Sequence, residues 1–224
     1  MKKVREYITD FRHIGEDQTG YQSDDTSYSD QAIWARMIQS RATVIKNLPK
    51  NMTLSENMFQ TLTCVMFEEV DANECDLIPP SGCTIMKSTC ELPTLLRLIS
   101  VTSQLGNETY DIVRWDQLQG KLNSRIESVQ KATYVSIRNI NGKQWMYLIN
   151  NPHRVNAVVV AIAEDPIKFA QFCGDKEANC NPLELDIHTD AAIQDTILKL
   201  TWDSILGVRR GAKVDLANDD TIIQ

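Results

Sequence analysis

The chain has 224 residues, 42% hydrophobic and 24% charged, with a formal net charge of −7 and a sequence pI near 5.0. This composition is sufficient to bury a core in one domain, or in a domain that carries an insertion. The excess of acidic residues argues against tight binding of nucleic acid, because such binding needs clustered Lys and Arg to displace counterions from the phosphates. The polar start and the lack of a run of about 18 apolar residues predict a soluble, unsecreted protein without a membrane span.

Two helices are predicted in the N-terminal part. Apolar residues recur at helical spacing over residues 2–14, which indicates an amphipathic first helix. The stretch Gly15–Tyr28 is rich in Asp, Ser, Thr and Gly, so we expect a loop there. Ser29 is a suitable cap for a second helix over Asp30–Leu48, which Pro49 ends.

From Thr61 onward the pattern favours strands. The β-prone runs predict a small, mainly antiparallel sheet with strands at Thr61–Val70, Leu98–Thr102, Ala132–Arg138, Gln144–Ile149 and Val155–Ala163. The third and fourth of these flank Asn141-Gly142, which is a strong signal for a tight hairpin.

A last helix is predicted from the cap Thr189 to Leu206, with a wide apolar surface that includes Trp202. We expect Trp202 and Trp34 to be helix-packing core residues that pair the C-terminal helix with the N-terminal helices. After Gly211 the sequence is acidic and loses helical periodicity, so residues 212–224 are expected to form an extended tail.

The sequence therefore predicts the α+β class. A helical body, made of an N-terminal helix pair and a long C-terminal helix, carries an inserted, mainly antiparallel β-rich region and an extended C-terminal tail. The expected divisions are a helical part at 1–60, the β-rich insertion at 61–187, the C-terminal helix at 188–211 and the tail at 212–224.

No catalytic constellation is visible in the sequence. Nucleophilic catalysis needs a Ser or Cys beside a base, and none of His13, His153 and His188 stands in such a motif. The acidic run Glu68–Asp71 lacks a cation-binding loop around it and is expected to be a solvated edge. We therefore predict no enzyme activity, no catalytic residues and no cofactor.

The cysteines were weighed as metal ligands. Cys75, Cys83 and Cys90 lie close together in the sequence, and Cys173 and Cys180 form another pair. Structural zinc sites usually show a tighter C-x2-4-C spacing, and a chain without a signal peptide favours reduced thiols. No metal site is predicted, and whether Cys75, Cys83 and Cys90 have a role beyond packing stays open.

Several stretches together resemble a known family. They are Thr61–Cys75 followed by Gly82–Ile85, then Ala161–Pro166, and finally the last helix with its Asp-Asn tail. In this order, behind an N-terminal helix pair, they are similar to the head-to-tail adaptor (ring) proteins of crAss-like, short-tailed bacteriophages. These proteins are related in architecture to the tail accessory factors of other short-tailed phages.

The resemblance implies a structural virion protein of the neck and tail region, made in the bacterial host cytoplasm. Copies of it are expected to form a dodecameric ring on the phage portal protein, in contact with further tail or ring proteins. Double-stranded DNA would pass through the ring without specific binding, and no membrane is involved. The alternatives are another neck component, such as a tail-completion or stopper protein, or a small cytoplasmic metal-binding or regulatory module.

The tail carries the candidate partner-binding residues. Val214, Leu216, Ile222 and Ile223 are apolar positions on an otherwise acidic segment, which a flexible chain can present to a groove on a partner. A merely disordered terminus is the alternative interpretation.

Overall fold

A computed structural model describes residues 2–19, 28–49, 54–70, 84–151, 156–172, 186–187, 189–190 and 193–205. Its chain divides into two compact units. The first unit comprises Met1–Met58 and Asn179–Gln224, and the second unit comprises Phe59–Ala178.

The helices and strands have the following bounds. The helices are α1 (Val4–Thr19), α2 (Asp30–Asn47), α3 (Trp115–Leu122), α4 (Glu127–Gln130), α5 (Pro166–Phe172) and α6 (193–205). The strands are β1 (Lys2–Lys3), β2 (Gln60–Glu69), β3 (Ile85–Ser88), β4 (Leu95–Ser103), β5 (Asp111–Ile112), β6 (Tyr134–Ile140), β7 (Lys143–Ile149), β8 (Asn156–Ala163) and β9 (Asp186–Ile187). A short 3-10 turn lies at Glu56–Met58.

The first helix is longer than its apolar pattern. α1 continues to Thr19, so the loop expected over Gly15–Tyr28 is wrong for residues 15–19, while residues 20–27 lie outside the described part. A glycine inside a helix costs only about 1 kcal/mol relative to alanine, so Gly15 does not by itself stop propagation. The apolar positions of the first turns are buried and anchor the helix.

The second helix begins and ends where its capping signals predicted. The Ser29 side chain accepts a hydrogen bond from the Ala32 backbone N–H at 3.2 Å. At the other end, Leu48 has an extended backbone because the following Pro49 disfavours helical geometry. The predicted helix Asp30–Leu48 is confirmed to within one residue.

Within the first unit, α6 contacts α1. The rings of Phe11 and Trp202 meet edge to face with centroids 5.3 Å apart. Gln194 Nε2 donates to Asp10 Oδ2 at 3.5 Å. Trp202 was expected to pair the C-terminal helix with the N-terminal helices, and the observed aromatic contact is with the first of them, α1. Near α1, β1 pairs antiparallel with β9.

The second unit is built on a seven-stranded sheet in the order β4-β8-β2-β3-β7-β6-β5. Every neighbouring pair is antiparallel except β5 and β6, which are parallel. The strands predicted from the sequence are confirmed as β2, β4, β6, β7 and β8, and the α+β class with mainly antiparallel sheets is confirmed. The sequence analysis missed β3, β5 and the helices α3 to α5.

The hairpin between β6 and β7 is confirmed at the predicted turn. Ile140 pairs with Lys143, so Asn141 and Gly142 are the two loop residues. Their φ angles are 53° and 79°, which is the left-handed conformation that a two-residue turn of this type requires.

The sheet curls around one apolar core. Alternate residues of its long strands point to that core, which also receives Phe169 of α5. Beyond β4 the sheet closes on the segment before β5: Tyr110 N–H donates to Val101 O at 2.9 Å, and Ser103 N–H to Glu108 O at 2.9 Å. On the outer face, α3 covers the half of the sheet formed by β3, β7 and β6.

Candidate assembly surfaces

The partner-binding residues proposed from the sequence lie outside the described part of the structure. Val214, Leu216, Ile222 and Ile223 all follow residue 205, the last one that is described. Their role therefore stays a prediction.

Most of the residues considered for catalysis and metal binding also lie outside the described part of the structure. His153, His188, Cys75 and Cys83 are outside the described residues, as are Cys173 and Cys180. Cys90 is exposed, and the Thr89 hydroxyl points to its Sγ at 3.8 Å. Across the described ranges no group of three or more His, Cys, Asp or Glu side chains could hold a metal ion.

The half of the outer sheet face next to α3 carries cations against aromatic rings. Lys87 Nζ lies 4.4 Å from the centroid of the Trp145 ring, and Arg138 Cζ lies 4.7 Å from that of Trp115. Trp115 also contacts Tyr147, with centroids 5.1 Å apart. Cation–ring contacts are worth roughly 0.5–1 kcal/mol each at exposed sites. The two contacts of Trp115 join α3 to the sheet, whereas the contact between Lys87 and Trp145 lies within the sheet.

The other half of the outer face, on β4, β8 and β2, has a different chemistry. Cross-strand neighbours there are Met66 with Asn156, Thr102 with Val158, and Val160 with both Thr61 and Ser100. We call these residues the uncharged face: Thr61, Met66, Ser100, Thr102, Asn156, Val158 and Val160. Thr61, Met66 and Asn156 are exposed, and the other four are half-buried.

Charged residues stand only at the two ends of the uncharged face. Glu68 is exposed two residues beyond Met66 on β2. Arg97 lies at the other end, where it pairs in register with Ile162. The face is therefore a neutral centre between charged margins.

A tight turn borders the uncharged face and presents an exposed leucine. Gly106 N–H donates to Ser103 O at 2.9 Å, and Gly106 has a φ of +70°. The Ser103 hydroxyl donates to Asn107 Oδ1 at 2.6 Å, which fixes the far side of the turn. Leu105, held between these bonds, is 87% exposed.

The turn is joined to the uncharged face by its first residue. The Gln104 backbone N–H donates to Asn156 O at 3.0 Å, and Asn156 Nδ2 donates to Gln104 Oε1 at 3.2 Å. Leu105 is thus presented by an ordered backbone next to β8.

Among the described residues of this unit, two tyrosines have shifted pKa values. Burial raises the pKa of Tyr110, which lies where β4 meets the segment before β5. Burial also raises the pKa of Tyr134 on β6, whose hydroxyl donates to Val129 O. Since an ordinary tyrosine titrates near 10, both remain neutral at physiological pH, and neither is poised for acid–base chemistry there.

The two halves of the outer sheet face are neutral and aromatic surfaces that suit contacts with other proteins. The family model for phage tail ring protein 2 of crAss-like phages matches residues 16–222. The chain belongs to this family. Membership makes it a structural protein of the bacteriophage tail, located in the virion, and implies assembly with other tail components. No curated protein matches the chain.

The resemblance drawn from sequence stretches is confirmed at the level of a crAss-like phage tail ring protein. None of the helices in the described ranges is both long and apolar enough to cross a membrane.

Sequence analysis identified the tail as a candidate interface and missed the uncharged face. A signal was present in the β8 run, where Val158 and Val160 alternate with core residues and therefore point outward. On β2, Met66 likewise stands at an outward position. Apolar residues at outward positions of a strand that already faces a core indicate a second covered surface.

Proposed function

We propose that this chain forms the adaptor ring between the phage portal and the tail, and that the ring continues the DNA channel. The observation that carries the proposal is the family match over residues 16–222. The sequence resemblance to head-to-tail adaptor proteins supports the finer assignment to the junction with the portal. The proposal gives the chain a structural role and no catalytic one.

In this proposal copies of the chain surround the DNA path, and the resemblance favours twelve copies. The net charge of −7 suits such a path. A conduit must let DNA pass without holding it, and an acidic protein lacks the excess of cations that would neutralise phosphates. The chain is made in the host cytoplasm and incorporated into the virion neck.

The tail is the proposed arm that binds the portal or a neighbouring copy. Ordering about a dozen residues costs conformational entropy, so the arm persists only if its apolar residues become buried. Val214, Leu216, Ile222 and Ile223 are the residues available for this burial. The carboxylates between them would meet Lys or Arg on the partner.

A cryo-EM map of the virion neck tests the adaptor assignment. We expect a ring of this chain directly below the portal, with the DNA channel running through it. Density for the chain at a more distal position in the tail, with another protein in contact with the portal, would contradict the proposal. That result would favour a tail-completion or stopper role.

Deletion of residues 212–224 tests the arm separately. The truncated chain should fold with nearly unchanged thermal unfolding and should no longer co-sediment with portal. The matched control is full-length chain in which Lys213 is replaced by Arg, which keeps the charge and the apolar residues. Equal co-sedimentation of the truncated and full-length chains would rule out the arm.

A further inference from the structure

Two contacts tie β4 back to the far side of the curled sheet. The Tyr110 N–H donates to Val101 O at 2.9 Å, which joins the second half of β4 to the segment before β5. The Leu95 N–H donates to the side-chain Oε1 of Gln144 on β7 at 2.8 Å. Gln144 lies opposite Asn139, so this second contact brings the start of β4 to the end of β6.

Between these two contacts, β4 and β6 leave an opening in the sheet. Among the described residues, β4 pairs with β8 and with the segment before β5, and β6 pairs with β7 and β5, but no ladder joins β4 to β6. β5 reaches β6 only at Tyr134 and Val135. The opening therefore lies between residues 95–100 of β4 and residues 136–140 of β6, and we call it the β4–β6 slot.

The β6 side of the slot presents backbone groups to it. In an antiparallel ladder, alternate residues direct their N–H and C=O to one neighbour, and the residues between them direct theirs to the other side. Val135 O accepts a hydrogen bond from Val113 N–H at 2.9 Å, on the side away from β7. Ile137 and Asn139 continue this series, so their backbone N–H and C=O groups point into the slot. Such groups are a template for pairing with a further strand.

The side chains along the slot are apolar and incompletely covered. Leu95, Leu98 and Ile137 pack against the core of the sheet, yet all three are only half-buried. Ile99 is 36% exposed, and Leu96 is half-buried. These two are the extra residues at the register shifts of β4. Core-facing residues that stay half-buried indicate a place where the core lacks a covering strand.

A strand that enters the slot would pair with β6 rather than with β4. Bulges twist an edge away from regular pairing, and β4 has two register shifts in its first half. β6 instead pairs with β7 in an unbroken register from Tyr134 to Ile140. At about 3.3 Å per residue, residues 137–140 span about 13 Å, which suits a short incoming strand of about four or five residues.

The required occupant is an extended segment with apolar side chains at alternate positions. Those side chains would turn inward beside Ile137, and the residues between them would turn outward. On the outer side, Arg138 lies over the Trp115 ring of α3, and Arg97 pairs in register with the outward-facing Ile162. An arginine carries several N–H donors, so its contact with a ring leaves donors for a carboxylate. The outward positions of the incoming segment should therefore be acidic.

The tail of this chain contains a segment with this pattern. In Lys213–Ala217, Val214 and Leu216 are apolar, and the residue between them is Asp215. A second alternating run, at residues 183–185, is directly followed by β9, which already pairs with β1. The tail segment is therefore the better match for the slot.

We propose that residues 213–217 of one copy of this chain enter the β4–β6 slot of another copy and pair with the open side of β6. This inference rests on the proposed role of the tail as an arm, and it names the surface that the arm binds. Val214 and Leu216 would cover the half-buried core residues, and Asp215 would meet the arginines on the outer side. Adding a strand to an open edge is a recurring way for one chain to bind another, in which backbone pairing supplies affinity and side chains supply specificity.

Two tail variants test the inward and outward positions with the same added charge. Leu216→Asp places a carboxylate at an inward position of the incoming strand, whereas Ala217→Asp places it at the next, outward position. We expect Leu216→Asp to raise the concentration needed for self-assembly by about tenfold or more, because it buries a charge. Ala217→Asp should change that concentration by less than about twofold. Light scattering after size-exclusion chromatography of the full-length chains, over a range of concentrations, measures assembly.

A second pair of variants tests the open side of β6. Asn139→Pro removes the N–H that points into the slot and keeps the pairing with β7, since proline is tolerated where the N–H faces away from the neighbouring strand. Asn139→Ala is the matched control because it keeps that N–H. Only Asn139→Pro should weaken assembly, again by about tenfold or more. Circular dichroism verifies the fold, and the tail pair decides the question if Asn139→Pro does not fold.

Photo-crosslinking locates the contact. The variant Ala217→p-benzoylphenylalanine is prepared as isotope-labelled and unlabelled full-length chains, which are mixed, assembled and irradiated. We expect crosslinks that join a labelled to an unlabelled chain, and the linked peptide should contain residues 95–100 or 136–140. Crosslinks only between peptides of the same label would assign the tail to its own chain and contradict the proposal.

Other results would also overturn the inference: a wild-type chain that stays monomeric at every concentration, equal effects of Leu216→Asp and Ala217→Asp, or normal assembly of folded Asn139→Pro. These outcomes are separate from the adaptor role. A chain that self-assembles through the slot but does not bind the portal would refute the adaptor role and leave this inference standing. A ring directly below the portal that is unaffected by Leu216→Asp would do the reverse.

Discussion

Tyr110 shows how one buried hydroxyl affects the stability of the second unit. Its ring belongs to the apolar core of the sheet, and its Oη is buried with no hydrogen-bond partner among the described residues. Tyr134, also buried, has a partner because its hydroxyl donates to Val129 O. A buried polar group without a partner loses its hydration and gains nothing in return.

Replacing each tyrosine by phenylalanine should therefore have different effects. We expect Tyr110→Phe to leave the free energy of unfolding unchanged or to raise it by up to about 1 kcal/mol, since it removes an unpaired buried hydroxyl. Tyr134→Phe should lower it by about 1 kcal/mol, because Val129 O loses its donor. Urea unfolding of both variants measures the difference, and a larger loss for Tyr110→Phe would contradict the burial argument.

The same residues predict how stability depends on pH. Burial raises the pKa of Tyr7, Tyr110 and Tyr134 above the ordinary value of 10.0. Their neutral forms therefore contribute stability that is fully present below pH 10 and is lost as pH rises through the raised pKa values. As pH rises above about 10, the temperature of the thermal unfolding midpoint should decrease, and it should decrease less steeply in Tyr110→Phe than in the wild type. Equal alkaline sensitivity of wild type and variant would show that Tyr110 does not contribute.

At the scale of the elements, the contact between α1 and α6 depends on Trp202. The indole is half-buried and meets Phe11 edge to face. Trp202→Ala should lower the free energy of unfolding by about 2–3 kcal/mol, somewhat less than for a fully buried aromatic. Leu200→Ala is the control on the same helix, since Leu200 is 39% exposed and should change stability by about 0.5 kcal/mol at most. Similar values for both variants in chemical unfolding would show that the Phe11 contact is not stabilising.

Two glycines give a prediction of opposite sign for the same substitution. Gly142 in the β6–β7 turn has a φ of +79°, and a Cβ there would meet open space, so only backbone strain opposes Gly142→Ala. We expect a loss of about 1–2 kcal/mol. Gly120 lies in α3, also with open space around an added Cβ, and Gly120→Ala should stabilise by about 0.5–1 kcal/mol. We expect the thermal unfolding midpoint to decrease in Gly142→Ala and to increase in Gly120→Ala. Shifts of the same sign would exclude this explanation.

The elements that sequence could predict are those whose signal is local and periodic. α2 has a cap, an apolar stripe and a following proline, and the β6–β7 hairpin has a turn dipeptide whose left-handed backbone few other residues accept. β5 has only two residues. Its pairing with β6 depends on the tertiary fold of the sheet, which places the two segments side by side. A strand that short carries no periodicity to detect.

At the scale of the whole molecule, family membership could be anticipated from stretches spread over the chain, while the grouping of three strands into one outward face could not. The uncharged face joins residues of β2, β4 and β8, and their adjacency depends on the strand order β4-β8-β2, which no local pattern specifies. The register shift between Leu62 and Val65 also changes which β2 side chains point outward. If side chains of β2 are assumed to alternate strictly between the two faces, part of the strand is assigned to the wrong face.

Charge is the property of the whole chain that bears most directly on the proposed DNA channel. With a net charge of −7, the protein should repel duplex DNA at long range. The cations on the described sheet face are held near aromatic rings, as Lys87 is at Trp145, and Lys143 Nζ lies 3.1 Å from Glu91 Oε2. Such local contacts do not form the continuous basic patch that displaces counterions from phosphates.

We therefore expect no measurable binding of the purified chain to duplex DNA in fluorescence anisotropy at physiological salt, where the Debye length is about 8 Å. The double variant Glu68→Lys and Glu69→Lys is the control, because both residues are exposed on β2 and their replacement adds positive charge without touching the core. If repulsion governs the interaction, this variant should bind more tightly than wild type at low salt and lose the difference as salt rises. Micromolar, salt-sensitive binding by the wild-type chain would mean that the protein holds DNA through a basic surface, and a channel that lets DNA slide would then need a different explanation.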